Sequence, residues 1–203
     1  MRLITINRAA TRQNAPVLIL LHGIGSDEQD LMGLAPEVEV DVELVSVRAP
    51  HLSGYRGYSW FDFEIEPDGG RTVDGQQALE SRDAVIEMLD DFSDRKIIVG
   101  GFSQGSMIAT GVALAQPERI SAAWLMSGRW LPQWQRERYW GHLPMLVQHG
   151  LYDEVLSIGE GRALADKLRD CGQDVIWREY PMGHQVSQAS LRDANEWLRK
   201  QCY

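Results

Sequence analysis

Gly101-Phe102-Ser103-Gln104-Gly105 follows the apolar run Lys96-Ile97-Ile98-Val99-Gly100 and opens a helix-like stretch, 104–116. A Gly-x-Ser-x-Gly pentapeptide between a buried strand and a helix has the spelling of a nucleophile elbow. In such a turn, side chains larger than hydrogen at 101 and 105 would collide with neighbouring backbone. The serine between them is held strained and pushed to the top of a sheet. Glycine and serine are common, so the pentapeptide alone is weak. The strand before it and the helix after it are what give it meaning.

Outward from the elbow, apolar β-branched runs recur at 3–6, 17–21, 44–47, 97–99, 122–126, 145–147 and 175–177. Several are apolar at consecutive positions rather than alternating, as expected for parallel strands buried on both faces. Helical patterns fall between them. The stretch 76–92 puts Leu79, Ile86 and Leu89 on one stripe, and 104–115 is apolar almost all round, as a central helix should be. Capping-box spelling marks helix starts at Ser26-x-x-Gln29 and Ser157-x-x-Glu160, and more loosely at 187–190. Alternating strands and helices imply an α/β sandwich with a mostly parallel sheet, its functional loops at the carboxyl ends of the strands.

Two segments depart from this rhythm. Glu37-Val38-Glu39-Val40-Asp41-Val42-Glu43 alternates strictly and reads as a half-buried edge strand or its approach, with solvent-facing carboxylates. The stretch 50–72 is irregular, rich in Gly, Tyr and Trp, with a turn at Pro67-Asp68-Gly69-Gly70. Irregular segments of that length are often binding loops.

The 203 residues suffice for one core, read as a single domain over 1–203. Hydrophobic content of 44% with 24% charged residues is that of an ordinary globular domain. A net charge of −9 argues against nucleic-acid or anionic-membrane binding. The small basic cluster Arg129, Arg136 and Arg138 reads as a solvated helix face. The apolar run 17–21 is too short for stable membrane insertion, and no signal-peptide pattern is present. Cys171 and Cys202 therefore read as free thiols in a reducing cytoplasm. A homodimer is compatible with the sequence, which does not itself specify one.

A serine hydroxyl needs a base to take its proton, and the base needs an acid to hold its tautomer. For an elbow of this kind the acid and then the histidine follow in chain order. Asp153 lies in a loop just after the run 145–147, and His184 in a loop after 175–177. Of five histidines, His184 alone follows Asp153. His22 and His149 each precede glycine at a strand end, where a ring can fix a turn, while His51 and His142 are bystanders in loops. Glu154 competes with Asp153 as the acid, and Asp153 has the usual Gly-x-x-Asp spacing. Donors for the negative oxygen of a tetrahedral intermediate are expected from the backbone N–H groups of Gln104 and Ile24. Ile24 lies in His22-Gly23-Ile24-Gly25, whose glycines let the chain bend. Ser26, Asp27, Glu28 and Asp30 are explained by a helix dipole. They lack a His or Cys cluster with ligand spacing, so no metal is expected and no cofactor is required.

With these parts assembled, the chain resembles the phospholipase/carboxylesterase family of α/β-hydrolases. That group includes acyl-protein thioesterases and small bacterial carboxylesterases. The resemblance rests on Leu21-His22-Gly23-Ile24-Gly25, Arg48-Ala49-Pro50, Ser59-Trp60-Phe61-Asp62 and Gly100-Gly101-Phe102-Ser103-Gln104-Gly105. It continues through Ser127-Gly128, His149-Gly150-Leu151-Tyr152-Asp153 and Met182-Gly183-His184, covering nearly the whole chain. It implies an α/β-hydrolase fold with helices on both faces of the sheet, a minimal cap and a Ser-His-Asp esterase, and it supports Ile24 and Gln104 as oxyanion donors. Two departures bear on substrate choice. Thioesterase-like members usually carry Asp directly after His-Gly-x-Gly, where this chain has Ser26. Gly54-Tyr55-Arg56-Gly57-Tyr58 is its own spelling of a loop shaping the acyl pocket. Trp60, at the family's Trp-Phe-Asp position, is either a pocket wall or a core aromatic beneath the loop. Trp130 and Trp134 share a face of a short helix and, with Trp140, read as core or as an apolar lip.

The expected function is hydrolysis of small-molecule carboxylic esters, with thioesters and lysophospholipids as further candidates, through an acyl-serine. The alternatives are a non-catalytic binding protein on the same fold, against which the complete set of parts argues, and a peptidase, for whose cap or propeller there are no spare residues.

Overall fold

A computed structural model of the chain describes residues 2–54, 56–65, 71–136 and 142–203. In chain order the strands are β1 (Thr5–Arg8), β2 (Val17–Leu21), β3 (Glu43–Val47), β4 (His51–Leu52), β5 (Tyr58–Ser59), β6 (Phe63–Ile65), β7 (Arg71–Val73), β8 (Ile97–Phe102), β9 (Ile120–Met126), β10 (Pro144–Gly150) and β11 (Asp174–Tyr180). The helices are α1 (Gly75–Met88), α2 (Gln104–Ala115), α3 (Ile158–Asp170) and α4 (Gln188–Cys202). Seven strands form one sheet in the order β1-β3-β2-β8-β9-β10-β11, with only β1 antiparallel to its neighbour.

The consecutive apolar runs are buried on both faces, and the sheet shows why. Val17, Ile19 and Leu21 of β2 pack with Ile108 and Val112 of α2, Val85 of α1 and Leu164 and Leu168 of α3. Leu18 and Leu20 face the opposite side with Leu191, Trp197 and Leu198 of α4 and Leu31 and Ala35 of the 3₁₀ turn Leu31–Glu37. Helix α2 is buried from Gln104 through Leu114, which accounts for its apolar spelling on every side. Among the described residues no helix is long and apolar enough to cross a membrane.

Capping boxes start α3 at Ser157 and α4 at Ser187. The third expected start, at Ser26, is corrected: no helix begins there. Instead Ser26 forms an isolated bridge with Tyr58, and the Asp27 carboxylate caps a turn by accepting from the Gln29 N–H at 2.8 Å. The alternating segment 37–43 is the approach to a strand, not a strand in itself. Val38, Val40 and Val42 are buried as the alternation demands, yet the strand begins only at Glu43. Among the described residues the ladders of β3 end there, with Arg8 of β1 opposite Leu44 and Val17 of β2 opposite Glu43. The stretch 50–72 is less irregular than expected, because β4 pairs with β5 and β6 with β7 as short antiparallel hairpins. The expected turn at Pro67-Asp68-Gly69-Gly70 lies outside the described residues, as do Arg138 and Trp140.

Candidate active site

The elbow forms where β8 meets α2. Ser103 has φ 55° and ψ −118°, a region that side chains other than hydrogen rarely occupy. The flanking glycines are demanded by space: a Cβ on Gly105 would stand 2.0 Å from the Leu21 carbonyl oxygen, and one on Gly101 2.4 Å from Gly105. The turn thus packs against the carboxyl end of β2, and the serine stands at the sheet's upper rim.

Three residues from distant loops converge there. The Ser103 hydroxyl lies 2.9 Å from His184 Nε2 and can donate to it. His184 Nδ1–H in turn donates to Asp153 Oδ2 at 2.7 Å. The Asp153 side chain is fully buried, and its second oxygen accepts from the N–H groups of Val155 and Leu156 at 2.9 and 2.8 Å. Glu154, the competing acid, is exposed. The loops bearing Asp153 and His184 are laced together: the Leu151 N–H donates to the Tyr180 carbonyl at 2.8 Å and the Tyr152 N–H to the Met182 carbonyl at 3.0 Å. Phe102, next to the serine, packs against the His184 ring with centroids 4.8 Å apart.

The loop carrying Ile24 passes beside the hydroxyl, since a Cβ on Gly23 would lie 3.4 Å from Ser103 Cβ. Gln104 is the first residue of α2, where a helix leaves its backbone N–H without an internal acceptor. Its side chain ties the neighbouring loop down, with Oε1 accepting from the Trp60 N–H at 2.8 Å and Nε2 donating to the Phe61 carbonyl at 2.6 Å. Trp60 is corrected as a pocket wall. It is fully buried, its indole N–H donating to the His22 carbonyl at 2.8 Å, so it is a core aromatic under the loop that carries Ile24. His22 is also structural. Its Nδ1–H donates to the Gly23 carbonyl at 2.7 Å while Nε2 accepts from the Ala49 N–H at 3.0 Å, and burial pushes its pKa down.

The two departures from the family spelling meet at one point. The Tyr58 N–H donates to the Ser26 carbonyl at 2.7 Å, and the Gly25 N–H donates back to the Tyr58 carbonyl at 2.8 Å. Arg48 braces this crossing. Its guanidinium makes two 2.5 Å bonds to the Glu28 carboxylate, donates to the Tyr58 hydroxyl at 3.2 Å and lies over the Tyr58 ring. Hydrogen bonding from Arg48 holds the Glu28 carboxyl below the usual range. The helix-dipole account of Glu28 is thereby replaced. A signal existed: Glu28 and Arg48 follow the ends of β2 and β3, which are adjacent, parallel and in register.

A cleft of 490 Å³ opens beside the hydroxyl, within the range of about 300–1,000 Å³ usual for small-molecule sites. Ile24, Phe63, Met107, Val155 and Leu156 make its walls mainly apolar, and Arg129 and Glu160, 3.6 Å apart, add a charged pair. Apart from Ile24, the sequence reading missed these lining residues, because they are gathered from separate segments of the chain. Arg129 is thus not part of a solvated basic face. Trp134 is buried with its indole N–H on the Met107 carbonyl at 3.1 Å, behind the cleft, and Trp130 is half-buried.

A model of the family described as Phospholipase/Carboxylesterase matches residues 5–202. A protein of Oryza sativa subsp. japonica named "Probable carboxylesterase" is 30% identical, over 94% of this chain and 79% of its own length. Acyl-protein thioesterase 1 of Aspergillus fumigatus is 24% identical, over 94% of this chain and 90% of its own. Among solved structures, that of esterase PE8 superposes with a TM-score of 0.87 at 29% identity, covering 98% of this chain and 99% of that one.

Proposed function

The chain belongs to the phospholipase/carboxylesterase family of α/β-hydrolases, and from that premise we propose that it hydrolyses carboxylic esters at Ser103. The observation that carries the reading is the unbroken chain of hydrogen bonds from Ser103 through His184 to Asp153 at the mouth of an apolar cleft. Ser103 Oγ attacks the ester carbonyl carbon as its proton passes to His184 Nε2. The buried Asp153 carboxylate stabilises the imidazolium and keeps Nδ1 protonated. Negative charge gathers on the carbonyl oxygen, which the N–H groups of Ile24 and Gln104 receive. Collapse breaks the bond to the alcohol, which takes the proton from His184. Water, deprotonated by His184, then attacks the acyl-serine, releasing the acid and restoring the hydroxyl.

Substrates are small esters with short-to-medium acyl groups, thioesters being the closest extension. The mainly apolar cleft and its size support that range. Cys171 and Cys202 are free thiols, in keeping with a reducing cytoplasm as the compartment.

The test is labelling by a fluorophosphonate together with turnover of p-nitrophenyl and thioester substrates of graded acyl length. Wild type is expected to be labelled at residue 103 and to favour short esters, and Ser103→Ala to lose both properties. Absence of labelling in folded wild type would instead mark a binding protein, and preference for long-chain lysophospholipids would overturn the substrate range.

A further inference from the structure

His149, the residue before the last in β10, is more than packing behind the site. Its ring is fully buried. Nε2 lies 2.9 Å from the Leu156 carbonyl oxygen and 3.4 Å from Asp153 Oδ2. Both neighbours are acceptors, so the ring's hydrogen sits on Nε2. Nδ1 is buried with no partner among the described residues. An unpaired buried nitrogen costs stability, which makes an imidazole a poor choice for filling space alone. Space is nevertheless reserved for it: a Cβ on Gly161 of α3 would stand 2.4 Å from Nδ1.

The bonds around this ring close a loop. His149 Nε2–H holds the Leu156 carbonyl, and the Leu156 N–H donates to Asp153 Oδ1. The other oxygen, Oδ2, accepts from His184 Nδ1–H while facing the edge of the His149 ring. The orientation of the carboxylate is therefore set by a segment that His149 itself holds in place.

We propose that His149 is a positioning residue for Asp153, acting through the Leu156 segment that its Nε2–H holds beside the carboxylate. The inference rests on the reading of Asp153 as the acid in ester cleavage. His149→Phe keeps a buried ring and removes the donor, whereas His149→Gln returns an N–H close to the position of Nε2. With p-nitrophenyl acetate, the Phe variant is expected to lose about tenfold or more in kcat, with KM within about twofold of wild type. The Gln variant is expected to recover to within about threefold of wild type. In an Asp153→Asn background the Phe substitution is expected to cost less than about twofold, since the loss acts through that carboxylate. A packing role predicts the reverse, an active Phe variant and a damaged Gln variant, and that pattern overturns the proposal. So does a full, multiplicative loss in the double variant. Should the Phe variant fail to fold, His149→Leu carries the same expectations. Wild-type turnover beside an equally active Phe variant overturns the His149 role alone, whereas a wild type inert toward esters overturns the functional reading and this role with it.

Discussion

The two loops that flank Ser103 are held by opposite means. On one side the loop with Ile24 is crossed by Tyr58 and braced by a charged pair, Glu28 and Arg48. On the other side the loop with Asp153 is held by backbone amides and the single N–H of a buried imidazole. A carboxylate serves on both sides. Asp153 turns one oxygen to the His184 ring, whereas Glu28 is fully engaged by Arg48. Both acids are buried and hydrogen-bonded, and what separates them is the group each faces, a histidine ring or a guanidinium.

The sharpest way to separate the two acids is to remove each from its loop. Asp153→Asn should lower kcat by about three to four powers of ten while leaving the fold intact, because the base then loses its tautomer and its counter-charge. Glu154→Ala, one residue on and exposed, should leave kcat within about twofold. Equal damage from the two substitutions would break the assignment.

On the opposite side, Gly57→Ala tests whether the crossing positions the loop of Ile24, the proposed oxyanion donor. Gly57 has φ 63°, and an added Cβ would meet the carbonyl oxygens of Gly25 and Ser26 at 2.5 and 2.6 Å. Displacing one donor should cost about two powers of ten in kcat with little change in KM for a small ester. A wild-type kcat would show that the loop holds its place without the crossing.

A smaller effect is expected at the brace itself. Glu28→Gln should lower kcat by about tenfold and reduce Tm at neutral pH. The pH dependence has a defined sign. The Glu28 carboxyl is held below its usual range in the folded protein. Its stabilising contribution is therefore complete above the unfolded value and is lost as pH falls through the native one. Tm measured between about pH 6 and pH 3 should fall less steeply in the Gln variant than in wild type. Parallel curves would remove Glu28 from the account of acid sensitivity. Smallest of all, Val155→Ser on the cleft wall should reduce activity on a butyrate ester relative to acetate by about threefold, read as the ratio of kcat/KM.

How much of this was legible in the sequence divides along the same line. Consecutive apolar residues at 17–21 and 97–99 announced strands buried on both faces. Ser103, Asp153 and His184 stood out because an elbow restricts where and in which order its partners follow. Those signals are local or ordinal. The valines at 38, 40 and 42 signalled burial correctly, but a ladder needs a neighbour, and alternation does not say whether one is present. Trp60 stood at a position shared with the family, yet its place depends on the Gln104 side chain and the His22 carbonyl, more than thirty residues away on either side. For His149, the turn-fixing role was readable from the following glycine. Its approach to Asp153 was not, because that depends on the loop doubling back to Leu156.

The backbone at Ser103 has a consequence for the molecule as a whole. A non-glycine residue with φ 55° and ψ −118° typically opposes folding by about 1–3 kcal/mol. Ser103→Gly should therefore abolish ester cleavage and yet raise the melting temperature, by roughly 2–4 °C for each kcal/mol recovered. The protein would be sturdier as an inert body than as a working one, and its margin of thermal safety is set partly by the chemistry it keeps ready.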